Sequence, residues 1–133
     1  MPATAESPCG HAKILIVEDD PQICELLSDI VEAEGFQARC AQTDAGAMAA
    51  LGEVRSFACL IVDVNLGSGV TGYDVARRAR LSRKDLPVIY VSGQTSDLSY
   101  KTNGVPGSLF VAKPFTAEDL AWRIRKLVGD NDG

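Results

Sequence analysis

Histidine is nearly missing from this 133-residue chain, and so are long apolar runs, paired cysteines and any excess of positive charge. The one histidine is His11, and none of Cys9, Cys24, Cys40 and Cys59 stands in a CxxC pair. Zinc-type ligand spacing is therefore excluded. A formal net charge of −5 argues against a broad nucleic-acid footprint. No apolar run nears the roughly 20 residues that span a bilayer, so no membrane segment is predicted. The opening residues MPATAESPCG lack the basic and apolar regions of a secretory signal. No repeat and no linker divides the chain, and its length suits one domain. These absences predict a cytoplasmic protein with a flexible leader over 1–11, a domain over 12–129 and a flexible tail over 130–133. Cys24, Cys40 and Cys59 lie in apolar patterns and read as small, unpaired core residues of a reducing compartment.

What is present is ordinary in amount, 46% hydrophobic and 23% charged, and distinctive in order. Phe57–Asp63 is an apolar run that stops at a carboxylate. Such a run reads as a strand buried on both faces, with Asp63 at the lip of a sheet. Lys13–Val17 is a second such strand and runs into Glu18, Asp19 and Asp20. Asp20 and Pro21 read as the cap and first position of a helix. Ile23, Leu26, Leu27, Ile30 and Val31 continue it at helical spacing, and Gly35 is its stop. Phe36–Cys40 is a short strand and Asp44–Gly52 a small Ala-rich helix.

Val64–Thr71 is a loop, followed by a helix over Gly72–Ser82. Arg77, Arg78, Arg80 and Arg83 on that helix read as a solvated face rather than a phosphate site. Pro87–Ser92 is a fourth strand ending in a hydroxyl. Gln94–Gly107 is rich in poor helix formers and predicts one short or irregular helix. Ser108–Ala112 is the fifth strand, leading into Lys113. Thr116 and Asp119 form a capping box for the last helix, with Leu120, Ile124, Leu127 and Val128 as its buried stripe. Trp122 falls on its outer side, either as a contact surface or as a ring lying on neighbouring side-chain stems.

Alternation of strand and helix implies an α/β fold, an open five-stranded parallel sheet with helices on both faces. Ligands of such sheets bind outside the carboxyl ends of the strands. Four strands end in reactive groups there: Glu18 and Asp19, Asp63, Ser92, and Lys113. Carboxylates so crowded repel one another, and a hard cation such as Mg²⁺ relieves them while keeping sites for phosphate oxygens. With one carboxylate as nucleophile, and a lysine and a hydroxyl as donors, the set suits phosphoryl transfer.

The stretches KILIVEDD, LIVDVN, VIYVS and VAKPF resemble the receiver domain of two-component response regulators, from about Lys13 to Val128. The resemblance implies a flavodoxin-like sheet of order 2-1-3-4-5. By position, it implies Asp63 as phosphoacceptor and Glu18, Asp19, Asp63 and the Asn65 carbonyl at Mg²⁺. Ser92, Gly93, Asn65 and Lys113 would face the phosphoryl group. Ser92 and Phe110 would be the switch residues, and the Lys113–Pro114 bond would be cis. It further implies a histidine kinase or histidine phosphotransfer protein as donor and a downstream protein reached through the fourth helix, fifth strand and fifth helix. It implies no direct nucleic-acid contact and no enzyme activity beyond the domain's own phosphorylation and dephosphorylation, and it allows a homodimer. A stand-alone receiver is expected. The alternatives are a segment of a hybrid kinase, a pseudo-receiver without phosphorylation, and an aspartyl-phosphate phosphatase. The last would want an acid where Asn65 stands. The chain departs from the family at Gly67, where proline is usual, at Gly93, where alanine is usual, and at Phe110, where tyrosine is common. The loop before Gly72 is one residue longer than the common form.

Overall fold

The computed structural model describes residues 12–67, 69–93 and 101–129. The expectations placed on 1–11, on 130–133 and on 94–100 lie outside these residues.

Five strands form one sheet: β1 (Lys13–Val17), β2 (Gln37–Ala41), β3 (Phe57–Asp63), β4 (Val88–Ser92) and β5 (Leu109–Ala112). Their order across the sheet is β2-β1-β3-β4-β5, and every pairing is parallel. This is the predicted order. The helices are α1 (Pro21–Ala33), α2 (Asp44–Leu51), α3 (Gly72–Ser82), the helical residues 101–103 (α4) and α5 (Ala117–Val128).

The three central strands are buried on both faces because successive side chains point to opposite sides. Leu15, Val17, Leu60, Val62, Val88 and Tyr90 pack with α2 and α3 on one side. Ile14, Ile16, Cys59, Ile61, Ile89 and Val91 pack with α1 and α5 on the other. A sheet filled on both faces leaves its polar groups only at the strand ends, which is where the reactive residues stand.

Caps set where the helices begin. Asp20 accepts from the Gln22 N–H at 2.9 Å, and Pro21 opens α1, as its sequence predicts. Thr116 and Asp119 form the predicted capping box of α5. Thr71 and Asp74 form a second box on α3, one that the sequence reading missed. On α1 the buried side is Cys24, Leu27, Ile30 and Val31, whereas Leu26 faces outward, 43% exposed. Its place in the apolar helical spacing does not bring it into the core. The arginines near α3 are not merely solvated. Arg77 donates to the carbonyl of Asn103, Arg80 to that of Leu86 and Arg83 to that of Phe57, tying loops to the helix. Trp122 is half exposed, with Lys126 Nζ 5.0 Å from its ring centroid and Arg123 against it as well. The ring thus rests on neighbouring cations.

The cysteine expectation needs correction. Cys24 on α1 and Cys40 on β2 are joined in a disulfide, with Cα atoms 6.3 Å apart, inside the span that such a bond bridges. Only packing α1 against the edge strand brings them together, so residue spacing could not reveal the pair. Among the described residues Cys59 is the free cysteine, buried in the sheet. Its burial pushes the thiol up to about 12.

Candidate functional site

The carboxyl ends of β1, β3, β4 and β5 open on a cleft of about 280 Å³ lined by Glu18, Asp19, Asp20, Asp63, Asn65, Ser92, Gly93 and Lys113. Each side chain arrives there by its strand. Asp63 closes β3, and the Val64 N–H binds the Val91 carbonyl at 3.0 Å, so the lip is hydrogen-bonded to its neighbour strand. Glu18 follows β1, held by its own N–H on the Ala41 carbonyl at 3.1 Å. Lys113 follows β5, with its N–H on the Ser92 carbonyl at 2.9 Å, and its bond to Pro114 is cis, as predicted.

The polar contacts converge. Lys113 Nζ donates to Asp63 Oδ2 at 2.9 Å and to Glu18 Oε1 at 3.3 Å. The other Asp63 oxygen, Oδ1, accepts from the Asn65 N–H at 2.9 Å. Glu18 Oε2 accepts from the Asp20 N–H at 3.1 Å. Glu18 and Asp63 are nearly closed to solvent, whereas Asp19 is exposed.

Burial and neighbouring charge together set the protonation tendencies. Burial pushes the Glu18 carboxyl up to about 7; the Asp20 N–H opposes this, and the nearby Asp63 carboxylate adds to it. Partial burial alone would lower the Lys113 ammonium. Its bond to Asp63 and the charges of Asp63 and Glu18 outweigh that and hold it above the usual lysine range. The site thus carries more negative charge than one lysine relieves.

One carboxylate oxygen from each of Glu18, Asp19 and Asp63 lies within 4.8 Å of the other two. Hard oxygen donors around an open cleft fit a hard divalent cation of the Mg²⁺ kind, which keeps water and ligand oxygens as its remaining partners.

A family model described as "Response regulator receiver domain" matches residues 14–125. The chain belongs to this family. The receiver is 34% identical over 116 residues to "Response regulator protein TmoT" of Ectopseudomonas mendocina, covering 84% of this chain and 50% of that protein. It is 27% identical to "Cell cycle transcriptional regulator CtrA" of Caulobacter vibrioides, covering 91% of this chain and 52% of the other. The chain thus spans about half the length of these curated relatives. A solved response regulator receiver protein from Sinorhizobium medicae superposes with a TM-score of 0.83 at 26% identity, covering 91% of this chain and 97% of that one. The fold is therefore the flavodoxin-like one expected, and the chain is a receiver of two-component signalling.

Of the residues predicted for the site, Glu18, Asp19, Asp63, Asn65, Ser92, Gly93 and Lys113 all line the cleft. Phe110 does not. It lies in β5, half-buried against the α2–α3 core, and its carbonyl accepts from Arg123 Nε at 2.9 Å. Three participants were missed. Asp20 lines the cleft as well as capping α1. Gly67 stands against Asp19, and Gly72 packs against the carbonyl of Asp63. The signal for Gly72 was a glycine at the first position of a helix, behind a T-x-x-D box.

Proposed function

We propose that this receiver takes a phosphoryl group from a phosphohistidine onto Asp63, with Mg²⁺ bound, and that phosphorylation changes its affinity for a partner protein. The observation that carries the reading is Lys113 Nζ, 2.9 Å from Asp63 Oδ2, facing a cluster of three carboxylates. Glu18, Asp19, Asp63 and the Asn65 carbonyl would hold Mg²⁺. Bound there, the ion supplies charge neutralisation to the phosphoryl oxygens. An Asp63 oxygen attacks phosphorus, the P–N bond breaks, and the histidine ring leaves with the electron pair. The product is an acyl phosphate on Asp63. The Lys113 ammonium moves from pairing two carboxylates to pairing a phosphoryl oxygen. The Ser92 hydroxyl and the Gly93 N–H provide further donors from the end of β4.

The donor is a histidine kinase or a histidine phosphotransfer protein. The change is read out on the face made by α4, β5 and α5, where Ser92 and Phe110 couple the site to the surface and where Trp122 is exposed. That face offers a partner protein, or a second copy, an aromatic anchor flanked by Arg123 and Lys126. The unit that acts is 12–129, and it acts as a signalling module rather than as a turnover enzyme. The same reading puts it in the cytoplasm. The Cys24–Cys40 disulfide bears against that location, since such bonds persist mainly in oxidising compartments.

Incubation with acetyl phosphate and Mg²⁺ tests the chemistry. One acid-stable, base-labile phosphoryl group per chain, absent from Asp63→Asn and from Mg²⁺-free samples, is the expected outcome. Steady release of phosphate from small esters would point to a phosphatase, and no adduct under any condition to a pseudo-receiver.

A further inference from the structure

The loop from β3 to α3 passes over Asp19 at Gly67. Gly67 has φ +75°, and a β-carbon there would lie 3.1 Å from Asp19 Oδ2. That approach is tighter than side chains normally make, so one of the two would have to give. The loop cannot retreat easily. Asn65 and Thr71 form an antiparallel bridge across its base, the Gly72 N–H binds the Val64 carbonyl at 2.8 Å, and Leu66 is buried. Asp19 is the freer partner, because it is exposed and no hydrogen bond holds its carboxylate among the described residues.

We infer that Gly67 is a positioning residue for the cation site: its missing side chain leaves the room in which the Asp19 carboxylate turns toward Asp63. The inference rests on the proposed Mg²⁺ site and names what sets its affinity in this chain. Mg²⁺ demands near-ideal octahedral geometry at about 2.0–2.1 Å, so moving one carboxylate oxygen by a few tenths of an ångström weakens binding. Residues that orient metal ligands commonly alter affinity by about 10–100-fold when replaced.

Gly69 supplies the control. It shares the left-handed backbone, with φ +94°, yet a β-carbon there would meet nothing within 4 Å. Strain at the backbone is therefore common to both sites, and contact with Asp19 is confined to Gly67. The test measures Mg²⁺ affinity by titration calorimetry on the full chain, with urea unfolding in parallel, for wild type, Gly67→Ala and Gly69→Ala. Gly67→Asn is added because asparagine tolerates the left-handed region, so this variant keeps the fold if alanine does not. The expected result is an affinity roughly tenfold weaker in both Gly67 variants. Gly69→Ala should stay within about twofold of wild type while losing as much stability as Gly67→Ala. Equal affinities for the Gly67 and Gly69 variants, with wild type binding normally, overturn the positioning role alone. A wild type that takes up no Mg²⁺ overturns the site as well.

Discussion

Lys113 and Asp63 are 50 positions apart in the chain and 2.9 Å apart in space. Their pairing relieves part of the charge that three acids bring to one sheet edge. Asp63 is 6% and Glu18 1% exposed at the side chain, so neither can fall back on water if the lysine is removed. Truncation of one partner of a buried pair leaves an uncompensated charge, and Lys113 itself is 26% exposed, which softens the loss. Lys113→Ala should lose about 2–3 kcal/mol in Mg²⁺-free urea titrations. Added Mg²⁺ should restore most of it, because an ion that binds the folded state alone stabilises it by mass action. A variant that unfolds at the wild-type midpoint without Mg²⁺ would show that the pair carries no weight.

Gly72 gives a different kind of sensitivity. A β-carbon there would sit 2.3 Å from the carbonyl oxygen of Asp63 and 2.9 Å from the Cα of Val64. Both obstacles are backbone, at the point where β3 delivers the acceptor, so nothing flexible can swing aside. Gly72→Ala should cost about 3 kcal/mol, at the upper end of overpacking effects. Gly93, also at the lip, meets only Lys113 side-chain atoms at ordinary distances of 3.5 and 3.9 Å. Gly93→Ala should be neutral or stabilising by about 0.5 kcal/mol, through the unfolded chain. Chemical denaturation of the two variants side by side checks the contrast.

Much of this was legible because strands buried on two faces have no choice of composition. KILIV, FACLIVD and VIYVS announce themselves, and whatever polar group ends such a run must lie at the sheet's edge. Glu18, Asp63, Ser92 and Lys113 are legible in that way from the sequence. The edge strand β2 runs over Gln37–Ala41, one residue later than the Phe36–Cys40 that its sequence predicts. Its burial alternates and it has no long apolar run to fix its ends. Leu26 shares the apolar spacing of α1 and is still exposed, because three- and four-residue spacing defines a broad arc and only packing decides where the arc is cut. The disulfide and the approach of Gly67 to Asp19 depend on how elements stack, which residue type and spacing do not encode.

The α3 box makes a prediction with a pH sign. The Thr71 N–H bonded to the Asp74 carboxylate, and then the Arg77 guanidinium 2.9 Å away, hold that carboxyl below the usual range. A carboxylate with a depressed folded-state pKa contributes stability in full above its unfolded value, near 4, and loses it as pH falls through the folded value. Wild type and Asp74→Asn should therefore differ most at neutral pH and converge in acid, below about pH 4. Denaturant midpoints of both proteins along a pH series give the comparison. A gap that persists unchanged in acid would assign the loss to something other than the carboxylate's charge.

The cysteines make the sharpest contrast between what reductant should and should not reach. Cys24 and Cys40 close a loop with a sequence separation of 16, for which the chain-entropy model gives about 3 kcal/mol of stabilisation. Reductant should lower the stability of wild type by roughly that amount and leave Cys40→Ser unchanged, since the variant has no such loop to open. Cys59 behaves oppositely. It is fully buried, and burial pushes its thiol up to about 12, so it stays protonated. Little reactive thiolate forms and no reagent reaches it, so alkylation of the folded protein should spare Cys59 whether or not reductant is present. Mass mapping after alkylation in native buffer and in denaturant separates the two behaviours. Cys24 and Cys40 should label once reduced, Cys40 first because β2 is the sheet's edge and leaves it half-buried, whereas Cys59 should label only after unfolding. Native labelling of Cys59 at the rate of Cys40 would mean that the central strand opens far more readily than a sheet packed on both faces should.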